Sequence, residues 1–192
     1  MNGKRDEGYY RAWMSSRQVS RRGLFRGLLG GGKQVRDIAD HENHGRAAGR
    51  PPQAVAESLF LHLCTGCGEC AQACPYGLIE IAGGAARLQI DFSACDTSRC
   101  LACTAACQQG ALNSHISPDT ALRPSIATGC LGRRDDECRL CVYACAKQVL
   151  SFNAGGEVLF DESRCDGCGE CKTACYHGYI SLVAGIPRLT IS

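Results

Sequence analysis

Aromatic residues are scarce in this 192-residue chain, at one Trp, five Phe and six Tyr. Methionine occurs twice and proline six times. No apolar run approaches the roughly eighteen residues of a membrane-spanning helix. Few large apolar side chains and short apolar runs exclude a sizeable hydrophobic core, and small units of this kind usually need metal or disulfide staples to fold. A Walker loop, a dinucleotide fingerprint, a Ser-His-Asp set and a molybdopterin-like pattern are all missing as well. No substrate-transforming site is visible, so the chain does not read as an enzyme.

Cysteine is what the chain has instead. Sixteen residues are Cys, several times ordinary usage. They fall into four groups of four with none left over. The first is Cys64, Cys67, Cys70 and Cys74, and the second is Cys95, Cys100, Cys103 and Cys107. The third is Cys130, Cys138, Cys141 and Cys145, and the fourth is Cys165, Cys168, Cys171 and Cys175. In a secreted chain such density suggests disulfides, and in a cytosolic one it suggests metal. Net charge is only +2, but it is unevenly spread. Residues 1–50 carry eleven Lys and Arg against five Asp and Glu, and the remainder carries ten against fourteen. A basic arm precedes an acidic, cysteine-rich body.

The body repeats itself. "QAVAESLFLHL" leads helically into the first group. After Cys74 comes "PYGLIEIAGGAARLQIDFSAC", and after Cys145 comes "AKQVLSFNAGGEVLFDESRC". Each sets two alternating apolar runs around a Gly-Gly turn, which predicts a β-hairpin. "YHGYISLVAGIPRLTIS" after Cys175 gives the same pattern again. The segment after Cys107 is less regular, contains Pro118 and Pro124, and is read as the joint between two halves. The expected class is α+β: tandem bacterial ferredoxin-like modules with small sheets and short helices around clusters. The divisions are an irregular arm over residues 1–57, one module over 58–117 and a second over 118–192. A short helix is expected around Ser20–Leu29.

"CTGCGECAQACP" fits C-x2-C-x2-C-x3-C-P, the bacterial ligand run for a [4Fe–4S] cluster. Three closely spaced thiolates wrap a loop around a cubane, and the fourth Cys, opening a short helix, reaches the partner cluster. Gly66 and Gly68 let backbone N–H groups approach the cluster sulfurs. The fourth group keeps the spacing with Tyr176 in place of Pro, and the second has a four-residue first gap. The third, "CLGRRDDECRLCVYAC", holds Cys130 eight positions upstream across a charged loop. Its remaining three keep the shared spacing, so Cys130 reads as a ligand on a stretched arm, with residues 133–137 solvated. Structural zinc uses paired C-x2-C knuckles on a longer loop, and neighbouring thiols this close are poorly placed for separate bridges, so iron–sulfur clusters are expected.

Four clusters with crossed ligation follow. Cys64, Cys67, Cys70 and Cys107 would hold one; Cys95, Cys100, Cys103 and Cys74 the second; Cys130, Cys138, Cys141 and Cys175 the third; and Cys165, Cys168, Cys171 and Cys145 the fourth. Ligation within each group is the alternative. His62, His115 and His177 lack a ligand partner at metal spacing, whereas Tyr76, Tyr143, Tyr176 and Tyr179 are expected to shield clusters from water.

"VSRRGLFRGLLGGGK" is similar to a twin-arginine export signal, but its glycine-rich stretch is a poor apolar region and Lys33 cuts it short. A cytoplasmic location is expected, with Arg21, Arg22 and Arg26 forming a patch for an acidic partner. The "SRRGLFRG" arm, the "RPP" linker, "LFLHLCTGCGECAQAC", the stretched third group and "CDGCGECKTAC" together resemble the NapF family, the ferredoxin-type proteins of the periplasmic nitrate reductase system. The stretched group is the most specific element. One departure is that Thr97 stands at the compact ligand position of the second group, with Cys95 two residues earlier. The resemblance implies a cytoplasmic protein that meets the nitrate reductase catalytic subunit before export, to install its [4Fe–4S] cluster or maintain its redox state. A plain electron carrier and a polyferredoxin subunit of a larger complex are the alternatives.

Overall fold

Each cysteine group closes on a helix of about one turn, far shorter than an isolated helix needs in water. The computed structural model describes residues 45–134 and 138–190. These helices are α2 (Glu69–Ala73), α3 (Ala102–Ala106), α4 (Leu140–Tyr143) and α5 (Glu170–Thr173), and a longer α1 (Glu57–Leu63) precedes the first group. The third Cys of each group lies inside its helix, and in the first two groups the fourth Cys is the C-cap residue. The fourth Cys therefore follows the helix, where the sequence reading had it opening one. A single turn spans the three residues between the two ligands.

The two Gly-Gly hairpins form as expected. Strand β1 (Ile79–Ala82) pairs antiparallel with β2 (Ala85–Leu88), Ile79 opposite Leu88 and Ala82 opposite Ala85. Gly83 and Gly84 both take positive φ, as a tight two-residue turn requires. Further on, β4 (Leu150–Phe152) pairs with β5 (Val158–Phe160). The third expected hairpin does not form among the described residues. Strand β6 (Ile180–Ala184) pairs instead with β3 (Leu122–Ile126), Leu122 opposite Ala184 and Ile126 opposite Ile180. Strand β3 lies in the segment read as irregular and carries Pro124. A two-stranded sheet leaves each strand a free edge, which is where a residue without an N–H is tolerated.

Residues 45–56, the end of the basic arm, have no helix or strand, yet they are packed into the body. Arg46, Arg50, Gln53 and Ala54 are buried, and Pro51 is among the fully buried side chains. Their main chain bonds distant parts of the body: Arg46 N donates to Gly185 O, Arg50 N to Thr120 O and Val55 N to Ala111 O. Arg50 also grips Glu57 at 2.6 Å, donates to Ala86 O and lies over the Phe60 ring. Apolar burial divides into two clusters, both containing cysteines. One gathers Phe60, Leu78, Ile79, Leu88, Ile90, Leu112 and Leu122, and the other gathers Val149, Leu150 and Ile180. The expected helix over Ser20–Leu29 and the patch of Arg21, Arg22 and Arg26 lie outside the described residues. Among the described residues no helix is long and apolar enough to cross a membrane.

Candidate metal centres

Cysteine spacing brings three thiols of a group to one loop, and the backbone of that loop has to turn back on itself. Gly66 and Gly68 in the first loop, and Gly167 and Gly169 in the fourth, supply the turn with φ of 67°, 84°, 71° and 86°. In the second loop Leu101 holds the corresponding left-handed place at φ 43°, an uncommon conformation for a bulky side chain.

The loops line pockets that are partly open to solvent. Cys64, Cys67, Cys70 and Cys107 line one, with Phe60, Ile81 and Leu112 completing its wall. Cys145, Cys165, Cys168 and Cys171 line a second. Cys130, Cys138, Cys141 and Cys175 line a third, beside Phe152, Tyr179 and Ile180. In each, three cysteines of one group meet one Cys of another. Cys74, Cys95, Cys100 and Cys103 act on one another electrically. Burial pushes Cys95 up to about 12, and the next contributions come from Cys103, Cys74 and Cys100.

The other buried thiols are raised first by burial and then by cysteines of their own and of neighbouring sets. Burial, then Cys64, pushes Cys70 up to about 11, with Cys103, Cys107 and Cys67 adding to it. Cys171 is pushed up to about 12 by burial and then by Cys168, Cys165, Cys145 and Cys141. Burial raises Cys141 too, followed by Cys130. Four thiols held this close together cannot all ionise without a cation among them. A soft metal supplies that charge and displaces the protons. Four cysteines meeting at each pocket, with positive-φ glycines turning the first and fourth loops, fit a [4Fe–4S] cubane. Among the described residues no three His, Cys, Asp or Glu side chains converge as one metal ion would require, and a cubane, with iron at four corners, does not ask for that.

The stretched third group is built on close approach. Its loop begins with a 3-10 turn, Leu131–Arg133. A Cβ on Gly132 would lie 2.9 Å from Phe152, and one on Gly156 would collide with the Arg133 main chain. The loop thus lies against the β4–β5 hairpin, and Arg133 is half-buried where solvation was expected. Aromatic shielding also differs from expectation. Tyr143 and Tyr176 are 83% and 86% exposed, whereas Tyr179 lines a cavity with His177 beside it. Buried Phe60 and half-buried Phe152 supply aromatic walls, and the sequence reading passed over both. Phe60 carried a usable signal, since it stands one helical turn before Cys64, whose N–H donates to the Phe60 carbonyl.

Two families match the chain: a 4Fe-4S dicluster domain over residues 63–113 and a 4Fe-4S binding domain over 158–180. A Haemophilus influenzae protein named "Uncharacterized protein" is 38% identical over 178 residues, 93% of this chain and 99% of that one. The methylamine utilization ferredoxin-type protein MauM of Paracoccus denitrificans is 30% identical over 154 residues, 69% of each chain. The ferredoxin-type protein NapF of Escherichia coli is 28% identical over 130 residues, 66% of this chain and 79% of that one. With its cysteine loops, short helices and small sheets, the chain belongs to the ferredoxin-type iron–sulfur proteins, a family of electron-transfer proteins.

Proposed function

We propose that this protein carries four [4Fe–4S] clusters on its sixteen cysteines, in the crossed sets of two tandem modules over residues 58–117 and 118–192. It would work in the cytoplasm on the catalytic subunit of a periplasmic nitrate reductase, assembling that subunit's cluster or keeping it reduced before export. The observation that carries the cofactor reading is the meeting of three cysteines from one group with one from another at each of three cavities. The partner rests on the resemblance to NapF and on NapF and NapG among the relatives. Clusters supply one-electron chemistry when bound. The chain's own residues would hold them by thiolate, exclude water with Phe60, Phe152 and Tyr179, and set their potentials through backbone N–H groups and burial.

A plain electron carrier is the second reading. It is favoured by the hydrogen bond between Cys95 and Cys168, which sets two of the proposed ligand sets side by side. Anaerobic incubation of iron-loaded protein with the cluster-free catalytic subunit separates the two. Iron appearing in the subunit supports assembly, reduction without transfer supports the carrier, and neither outcome removes the nitrate reductase partner.

A further inference from the structure

The loop of the fourth cysteine group docks on the loop of the second. Cys95 N–H donates to Cys168 O at 2.8 Å. Among the hydrogen bonds of the described residues, it is the one that joins two cysteines of different groups. Each residue is a proposed ligand of a different set, so a single hydrogen bond and the residues' own covalent bonds connect one thiolate to the other.

The contact is held from the side. Thr97 Oγ1 donates to Asp166 Oδ2 at 2.7 Å, with both residues buried. Asp166 Oδ1 accepts from Cys168 N at 3.3 Å, and its carbonyl accepts from Thr120 N at 3.0 Å. Thr120 Oγ1 bonds the Gly167 carbonyl at 2.8 Å. On the loop's other flank, a Cβ on Gly169 would lie 2.6 Å from Ile90, and Lys172 reaches Asp91 at 2.9 Å. Thr97 stands where a compact cysteine group would place its first ligand. With that position given to a hydroxyl that anchors Asp166, Cys95 lies two residues earlier, at the seam itself.

We infer that Thr97 and Asp166 are positioning residues that keep the Cys95 and Cys168 main chains hydrogen-bonded, and that this seam is where an electron passes between the two halves of the molecule. The inference rests on the proposed ligand sets. The step is a single electron transfer: the centre on one loop is oxidised by one electron, the centre on the other is reduced by one, and no bond or proton moves. Electronic coupling falls steeply with separation, so a bonded contact between two ligand residues outweighs any longer route.

Thr97→Val keeps the side-chain shape and removes the donor, Thr97→Ser restores a hydroxyl, and Asp166→Ala removes both acceptor oxygens. Each full-length protein is purified anaerobically, assayed for iron, reduced with dithionite and examined by low-temperature electron paramagnetic resonance. Thr97→Val should hold wild-type iron while the magnetic splitting between centres falls by half or more, leaving the part internal to each half. Thr97→Ser should return the wild-type spectrum, and Asp166→Ala should lose at least as much of the splitting as Thr97→Val. Wild-type iron with an unchanged spectrum in both Thr97→Val and Asp166→Ala would overturn the inference. Iron loss from Thr97→Val would also overturn it, since Thr97 would then support ligand binding itself. Wild-type protein without iron would sink the ligand reading and the inference together.

Discussion

Gly167 and Gly68 each turn a cysteine loop, yet their surroundings separate two effects of an added methyl group. Both take positive φ, at 71° and 84°. Gly68 has open space around a Cβ, whereas one on Gly167 would lie 2.6 Å from Leu122 O and closer still to the Thr120 hydroxyl. Gly68→Ala should therefore destabilise by backbone strain alone, on the order of 1 kcal/mol. Gly167→Ala adds a collision with main chain that has nowhere to move, for a total of about 3 kcal/mol or more. Denaturant titration of the iron-loaded proteins, followed by loss of cluster absorbance, checks the order. Equal midpoints for the two variants would refute it. The glycines were legible as turn residues in the sequence, but which of them has a neighbour at its Cα was not, because Thr120 and Leu122 are distant along the chain.

Among the elements, the β3–β6 sheet depends on one carboxylate. Asp119 accepts a fork from Arg123 at 2.9 and 2.8 Å, and Arg188 Nε at 3.1 Å, while its own N–H donates to Pro52 O. It thus ties the buried 45–56 strap, the start of β3 and the chain beyond β6 into one knot. Burial pushes the Asp119 carboxyl up, but the Arg123 bonds and charge and the Ala121 and Arg188 N–H groups outweigh this, and it stays below its ordinary value. Asp119→Ala would leave the buried Arg123 guanidinium without its main partner, which destabilises by about 3–5 kcal/mol. The depressed carboxyl contributes stability that is fully present above the unfolded value, about pH 4, and is lost as pH falls through the lower folded value. Stability of wild type relative to Asp119→Asn, measured by denaturant titration across that acid range, should shrink as pH drops. A difference independent of pH would count against the assignment. Pro118 and Pro124 signalled irregular chain, and that signal misled because propensity is local while β6 supplies the pairing from nearly sixty residues away.

For the molecule as a whole, the buried cysteines belong to both apolar clusters, so the metal would complete each core. Anaerobically prepared protein should contain about sixteen iron atoms per chain, four for each cubane. A value near eight would leave two of the four sets unsupported. Chelation should abolish cooperative unfolding, because the thiol-lined sites collapse or hydrate without metal. A sharp thermal transition in the iron-free protein would contradict this. At the same scale, replacing Arg21, Arg22 and Arg26 together with Ala should weaken capture of the nitrate reductase catalytic subunit at low salt and leave iron content unchanged. Equal recovery by wild type and variant would deny the basic arm its proposed role.

The cysteine spacing by itself determined the chemistry, since thiolates two and three residues apart dictate which sulfurs share a loop. The same local reasoning found the Gly-Gly hairpins and the helix before Cys64. Tertiary structure decided which fourth cysteine closes each cavity, why Arg46 and Arg50 are buried, how β3 finds β6, and that Thr97 meets Asp166. Each of these joins residues far apart in the chain, where backbone hydrogen bonds and burial, rather than neighbouring residue types, choose the partner.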